Sequence, residues 1–349
     1  MPKTLRESLS TRHNALNFVR LTLAFVVIFG HAWPLGGFEG WTLDLGGWAV
    51  QGFFAISGYL IAGSRMRLGI REYLANRALR IFPAYWSVLI LTAFALALAI
   101  GENYEPSSAL SYVISNAGLY QAQWGIDDTL VSVPVAIAWN GSLWSLFPEF
   151  LAYIGAALLL TLPWARRHAT LVTATAFAGL VAFQPLALGP LAVSTELYLH
   201  LIRLGTFFLA GMLLYFVGDK LMLRRRYGFA AIGVFVVLVA VGLGEAVGQL
   251  PFAFVLLCLG AAPPVRIGSE NDISYGLYIW AFPVQQVLAA LGTSWLGPIG
   301  SIFVATLVTA GIAWLSWRYI EQPAMRLRRF VPASWHTPKP SDSTSAVVG

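Results

Sequence analysis

The sequence predicts an all-α, polytopic integral membrane protein with about ten transmembrane helices and both termini in the cytosol. Composition is the first ground. Of 349 residues, 58% are hydrophobic and 11% are charged, with a mean hydropathy of +0.70. A soluble domain carries about 25% charged residues, so a soluble globule is excluded, as is a disordered or nucleic-acid-binding chain. The second ground is repetition: long apolar runs recur from end to end. The third is charge placement, taken up after the runs themselves.

The first span is expected over residues 15–33. A polar stretch from Lys3 to Asn14 precedes it, and no small-residue cleavage site follows, so it reads as an anchor rather than a cleaved signal peptide. Its length suits a bilayer core of about 30 Å. Further spans are expected over 47–64, 84–100, 142–162, 169–187, 201–217, 228–244, 251–263, 273–292 and 299–317. Backbone polar groups cannot stay unpaired in lipid, so each must be a helix. The runs are continuously apolar and lack the alternation of a membrane barrel.

With an inner N-terminus and alternating sides, every Lys and Arg except Arg203 falls on the inner side, in clusters such as Arg65–Arg80 and Lys220–Arg226. The outer connections carry Glu39, Asp44, Glu102, Glu105, Asp127, Asp128, Glu196 and Glu245 instead. This is the positive-inside pattern. The outer connection 101–141 shows no clear helix pattern. No second domain is expected: residues 1–330 read as one membrane domain, and the Pro/Ser-rich stretch 331–349 as a disordered cytosolic tail. The single cysteine, Cys258, sits in an apolar run and reads as an inert core thiol.

Ionisable groups inside spans point to function. Arg20 and His31 are eleven residues apart on the first helix. That is three turns plus about 20°, which puts both on one face about 16 Å apart along the axis. Spacing alone also fits an arginine reaching the inner headgroups and a histidine at the outer interface. Arg77 and Arg80, at i and i+3, share a helix face and suit a phosphate, or equally an inner anchor. Glu149, inside the fourth span, needs a partner or a proton. It has three readings: orienting a histidine, binding a sugar hydroxyl, or pairing with an arginine such as Arg203. No pair of histidines or carboxylates has metal-ligand spacing, so no metal is expected.

Taken in order, these pieces resemble the membrane acyltransferase 3 family. Arg20 and His31 match its arginine, ten residues, histidine signature. Phe53-Phe54-Ala55-Ile56-Ser57-Gly58 resembles its FFxxSG element, Arg77-Ala78-Leu79-Arg80-Ile81-Phe82-Pro83 its RxxRIxP element, and Trp144-Ser145-Leu146-Phe147-Pro148-Glu149 its WSLxxE element. The resemblance runs from Asn17 to Pro323. One element departs: Ser274-Tyr275-Gly276-Leu277-Tyr278-Ile279-Trp280-Ala281 ends in Ala281, where the family pattern has a second histidine.

The resemblance implies an O-acyltransferase of the bacterial inner membrane, using cytosolic acyl-CoA, by default acetyl-CoA, and a hydroxyl of a cell-surface or lipid-linked glycan. It assigns His31 as the general base with Glu149 beside it in catalysis. Arg20, Arg77 and Arg80 are assigned to the CoA phosphates, and Ser57 and Tyr275 to substrate. The rival reading, a transporter or flippase of a lipid-linked sugar, accounts equally for ten helices and buried arginines.

Overall fold

The structure is a computed structural model that describes residues 3–11, 14–41, 43–188, 195–261 and 271–335. His13, Arg266 and the greater part of the expected tail lie outside these. Among the described residues no strand forms; the one β-contact is an isolated bridge between Thr4 and Met222.

In chain order the helices are α1 (Leu5–Leu9), α2 (Leu16–Gly36), α3 (Leu45–Arg67) and α4 (Ile70–Leu91). A π-helical turn (Thr92–Leu96) carries α4 into α5 (Ala97–Ile100), followed by α6 (Pro106–Asn116), α7 (Leu146–Leu159) and α8 (Pro163–Arg167). Then come α9 (Ala169–Leu188), α10 (Glu196–Val217), α11 (Arg225–Ala240), α12 (Gly244–Val247) and α13 (Gln249–Ala261). The last α-helices among the described residues are α14 (Ser274–Ala290), α15 (Gly297–Ser316) and α16 (Gln322–Arg326).

A helix stands at each of the ten expected spans. Among the described residues, six segments are long and apolar enough to cross a bilayer unaided: Leu16–Gly36, Leu45–Arg67, Ile70–Ile100, Ala169–Leu186, Glu196–Val217 and Thr293–Phe330. The helices at the other positions run 13 to 17 residues, short of the roughly 20 that a full crossing needs. Apolar side chains face outward, as they do in lipid: α11 buries no residue and exposes Phe229, Val236 and Val237. The protein is a multi-pass membrane protein.

The third span differs most from expectation. The helix begins at Ile70 rather than near 84, so Arg77 and Arg80 are helical residues and not part of a connection. Tyr73, Ile81, Ala84, Tyr85 and Val88 bury one continuous face of it, and partners described below offset the charge of Arg80.

α3 packs most extensively against α10. The crossing is set by two glycines. A Cβ on Gly58 would stand 1.9 Å from the Phe208 carbonyl oxygen, and one on Gly211 would stand 1.9 Å from that of Ala55. Backbones approach this closely only where both side chains are missing. The small residues of the Phe53–Tyr59 element thus hold helices together.

The connection 101–141 is not structureless. It contains α6 and folds over the end of the bundle around buried Tyr112, Leu119 and Trp139. Side-chain bonds to backbone hold it, which is why no periodicity announces it. Asn116 bonds Gln123 O, Ala122 N and Gln123 N. Asn140 anchors the cap to α14, donating from Nδ2 to the Ile279 carbonyl at 2.8 Å. Pro283, four residues on, has no N–H to give that carbonyl.

Candidate active site

Two cavities flank α2, one around Arg20 and one around His31. The first is lined by Arg20, Ser57, Arg80, Ser145, Glu149, Tyr153, Tyr275 and Tyr278. Five of the residues singled out in the sequence meet there: Arg20, Ser57, Arg80, Glu149 and Tyr275.

The two arginines converge on one carboxylate that the sequence did not single out. Arg20 Nη1 and Arg80 Nη2 each donate to Asp272 Oδ2 at 2.7 Å. Asp272 Oδ1 accepts from the Ser274 hydroxyl at 2.6 Å. Arg80 also reaches Glu321 Oε2 at 3.1 Å, and its guanidinium lies over the rings of Tyr275 and Trp317. Burial alone would raise the Asp272 carboxyl, but Arg20, Arg80 and the Ser274 bonds hold it well below the usual carboxylate range. Arg20 and Arg80 are therefore a braced pair, not two open cations. Arg77 differs. Among the described residues it forms no ion pair, and its Nε is buried with no hydrogen-bond partner.

Glu149 accepts from Ser57 Oγ at 3.0 Å and from the Tyr153 hydroxyl through the same oxygen, Oε1. It lines the Arg20 cavity and not that of His31. Of the three readings of Glu149, orientation of His31 and pairing with Arg203 both fall away: Arg203 pairs with Glu245 instead. Tyr275 donates its hydroxyl to the Ile81 carbonyl at 2.9 Å, so it joins α14 to α4 while its ring borders Arg80. The space these groups enclose is about 50 Å³, room for one or two waters at about 30 Å³ each.

His31 lies in the second cavity, of about 180 Å³, with Asp44, Trp144, Arg203 and Tyr278 among its walls. Phe282 meets the imidazole edge-on, the ring centroids 5.2 Å apart. Nδ1 is buried without a hydrogen-bond partner, and Nε2 is not among the buried unpaired atoms. Asp44 caps α3, accepting from Gly47 N at 2.7 Å, and so fixes its carboxylate at the rim. Ala281 does not substitute for a histidine at this site. It is fully buried in an apolar cluster with Ala24, Ile28, Leu277 and Ala305.

Tyr278 is common to both cavities. Its hydroxyl donates to the Ser142 carbonyl at 2.8 Å and accepts from Ser145 Oγ at 2.6 Å, while Phe53 packs against its ring. It forms the wall between the guanidinium cluster and the imidazole. Asp272, Glu321, Tyr153, Asp44 and Tyr278 are the residues sequence reasoning missed. Of these, only Tyr278 falls within an element quoted above, and its spacing marks no role.

Residues 13–318 match a family described as an acyltransferase domain. The chain is 29% identical to the O-acetyl transferase of Shigella phage Sf6, over 89% of this chain and 96% of the relative. It is 28% identical to nodulation protein 10 of Rhizobium leguminosarum bv. viciae, over 92% and 96% respectively. With exopolysaccharide production protein ExoZ of Rhizobium meliloti (strain 1021) it shares 27% identity over 82% and 91%. No solved structure matches the chain. A transporter or flippase does not account for a transferase domain that runs through all the helices carrying these two cavities, and the chain belongs to the membrane acyltransferase family that this domain defines.

Proposed function

We propose that the protein transfers an acetyl group from cytosolic acetyl-CoA to a hydroxyl of a cell-surface or lipid-linked glycan, within the bacterial inner membrane, with His31 as general base. The observation that carries the reading is the arrangement along α2. Arg20 stands in a cluster of guanidinium groups at one end, and His31 stands eleven residues on in a cavity of its own. The similarity to an O-acetyl transferase and to an exopolysaccharide production protein supports the class of acceptor.

In this mechanism His31 Nε2 takes the proton from the acceptor hydroxyl as its oxygen attacks the thioester carbonyl. The tetrahedral intermediate collapses, the C–S bond breaks, and the CoA sulfur leaves with the proton that His31 returns. A neutral imidazole is suited to both transfers near neutral pH. Arg77, which forms no ion pair among the described residues, is the arginine left free to take the donor's phosphates. Arg20 and Arg80, tied to Asp272, fix the electrostatic shape of the entry. Glu149, held by Ser57 and Tyr153, lines the Arg20 cavity, and of its three readings the hydrogen bond to a sugar hydroxyl is the one left. For the thioester to reach His31, the Tyr278 wall must swing aside.

His31→Ala should lower transfer by about 10²–10⁴-fold while the protein stays in the membrane. The readout is acetate released by mild alkali from the glycans of expressing cells. Unchanged acetate in that variant removes His31 as the base. Unmodified glycan in cells with the native chain removes the acetyl reaction itself.

A further inference from the structure

Arg203 is the one basic residue outside the inner clusters, and the mechanism leaves it unused. It lines the His31 cavity and, on its other side, a cavity of about 660 Å³ between α9, α10 and α12. That volume falls inside the range of roughly 300–1,000 Å³ typical of small-molecule sites. Trp144 joins the two spaces as well: it is a wall of the His31 cavity, and its ring stacks on His200, a wall of the larger one, at 4.2 Å.

The walls mix hydrogen-bonding and apolar groups. The four ionisable side chains Glu196, His200, Arg203 and Glu245, with Gln184, are set into a wall that is otherwise apolar. Several polar atoms at its edge are only partly satisfied. Arg203 Nε is buried without a partner, its Nη1 reaches Glu245 at a long 3.4 Å, and Gln51, bonded to Glu245 through Nε2, leaves Oε1 buried and unpaired. An alkyl chain there would lay hydrocarbon against two carboxylates and a guanidinium without offering them a hydrogen bond. A pyranose offers hydroxyls around its rim and C–H faces above and below, which matches such a wall. Two carboxylates against one guanidinium disfavour an anionic sugar.

We infer that this cavity is the acceptor site, that it takes a neutral pyranose unit, and that the reacting hydroxyl reaches His31 past Trp144 and Arg203. This rests on the reading of His31 as the site of transfer. Its test reads occupancy rather than acyl transfer, so the two can fail separately. In a Cys258→Ala background, which removes the one native cysteine, Leu199→Cys places a thiol in the wall. Maleimide labelling is then followed in proteoliposomes, with Glu102→Cys, in an exposed loop, as reference.

Methyl glucopyranoside, galactopyranoside and mannopyranoside are the neutral probes, methyl glucuronide the anionic one, and tetraethylene glycol monooctyl ether the alkyl one. Expected is a several-fold slowing at position 199 by at least one neutral pyranoside, with no slowing by the glucuronide or the alkyl ether and none at position 102. Slowing by the alkyl ether alone would mean the cavity holds lipid chains. Equal slowing by the glucuronide would remove the charge argument, and no slowing by any neutral pyranoside would remove the site. If Leu199→Cys does not fold, Ile202→Cys on the same wall serves with the same outcomes.

Discussion

Asp272 shows how much one carboxylate decides at the residue scale. It is the common partner of two arginines that reach it from α2 and α4, so removing its charge leaves two guanidinium groups facing each other. Asp272→Asn should cost on the order of 3 kcal/mol, in the range for breaking a mostly buried pair, read as a lowered Tm of the purified protein. A carboxyl held below its ordinary range stabilises the fold at every pH above the unfolded value and loses that contribution only as pH falls through the folded one. Tm should therefore stay flat between pH 7 and about pH 5 and drop only in stronger acid; a fall beginning near pH 6 would place the controlling group elsewhere. Arg20 and His31 were legible because helix periodicity alone puts them on one face. Asp272 was not, since its partners are 252 and 192 positions away and nothing in a polar connection marks which carboxylate folds back.

Among the elements, run length and hydropathy foretold where helices stand, and the contacts between helices were less visible. Gly58 was read inside a motif, yet its place is a backbone crossing against Phe208. Gly58→Ala or Gly211→Ala should each destabilise by about 1–3 kcal/mol, because the added methyl meets a carbonyl rather than a movable side chain. Gly155→Ala on α7, where nothing lies within 4 Å, should leave Tm unchanged or slightly raised. The cap over the bundle escaped sequence reading because single amide side chains hold it. Asn140→Ala should cost about 1–3 kcal/mol by stranding the Ile279 carbonyl that Pro283 leaves free, with protease cleavage in 101–141 as a second readout. Intact resistance to protease would mean the anchor is dispensable.

At the scale of the whole molecule, two small chambers lie along one face of α2, with Tyr278 and Val50 in the walls of both. Motif spacing gave the two ends of that line, Arg20 and His31. It could not give the partition, because Tyr278 becomes a wall only when α14 sets it against Ser142 and Ser145, 136 and 133 positions away. On the proposed reaction, donor and acceptor come from opposite faces of a bilayer, and a protein built that way must not become a wire for hydrogen ions. The same ring that keeps the chambers apart also insulates them. Cells carrying Tyr278→Ala should show a partial collapse of the proton-motive force, seen with a potential-sensitive dye, whereas Tyr278→Phe, which keeps the ring and loses the hydroxyl, should conduct far less. Energised cells that treat both variants alike would mean the seal lies in other residues, and that the barrier to ions and the barrier to substrate are separate parts of this protein.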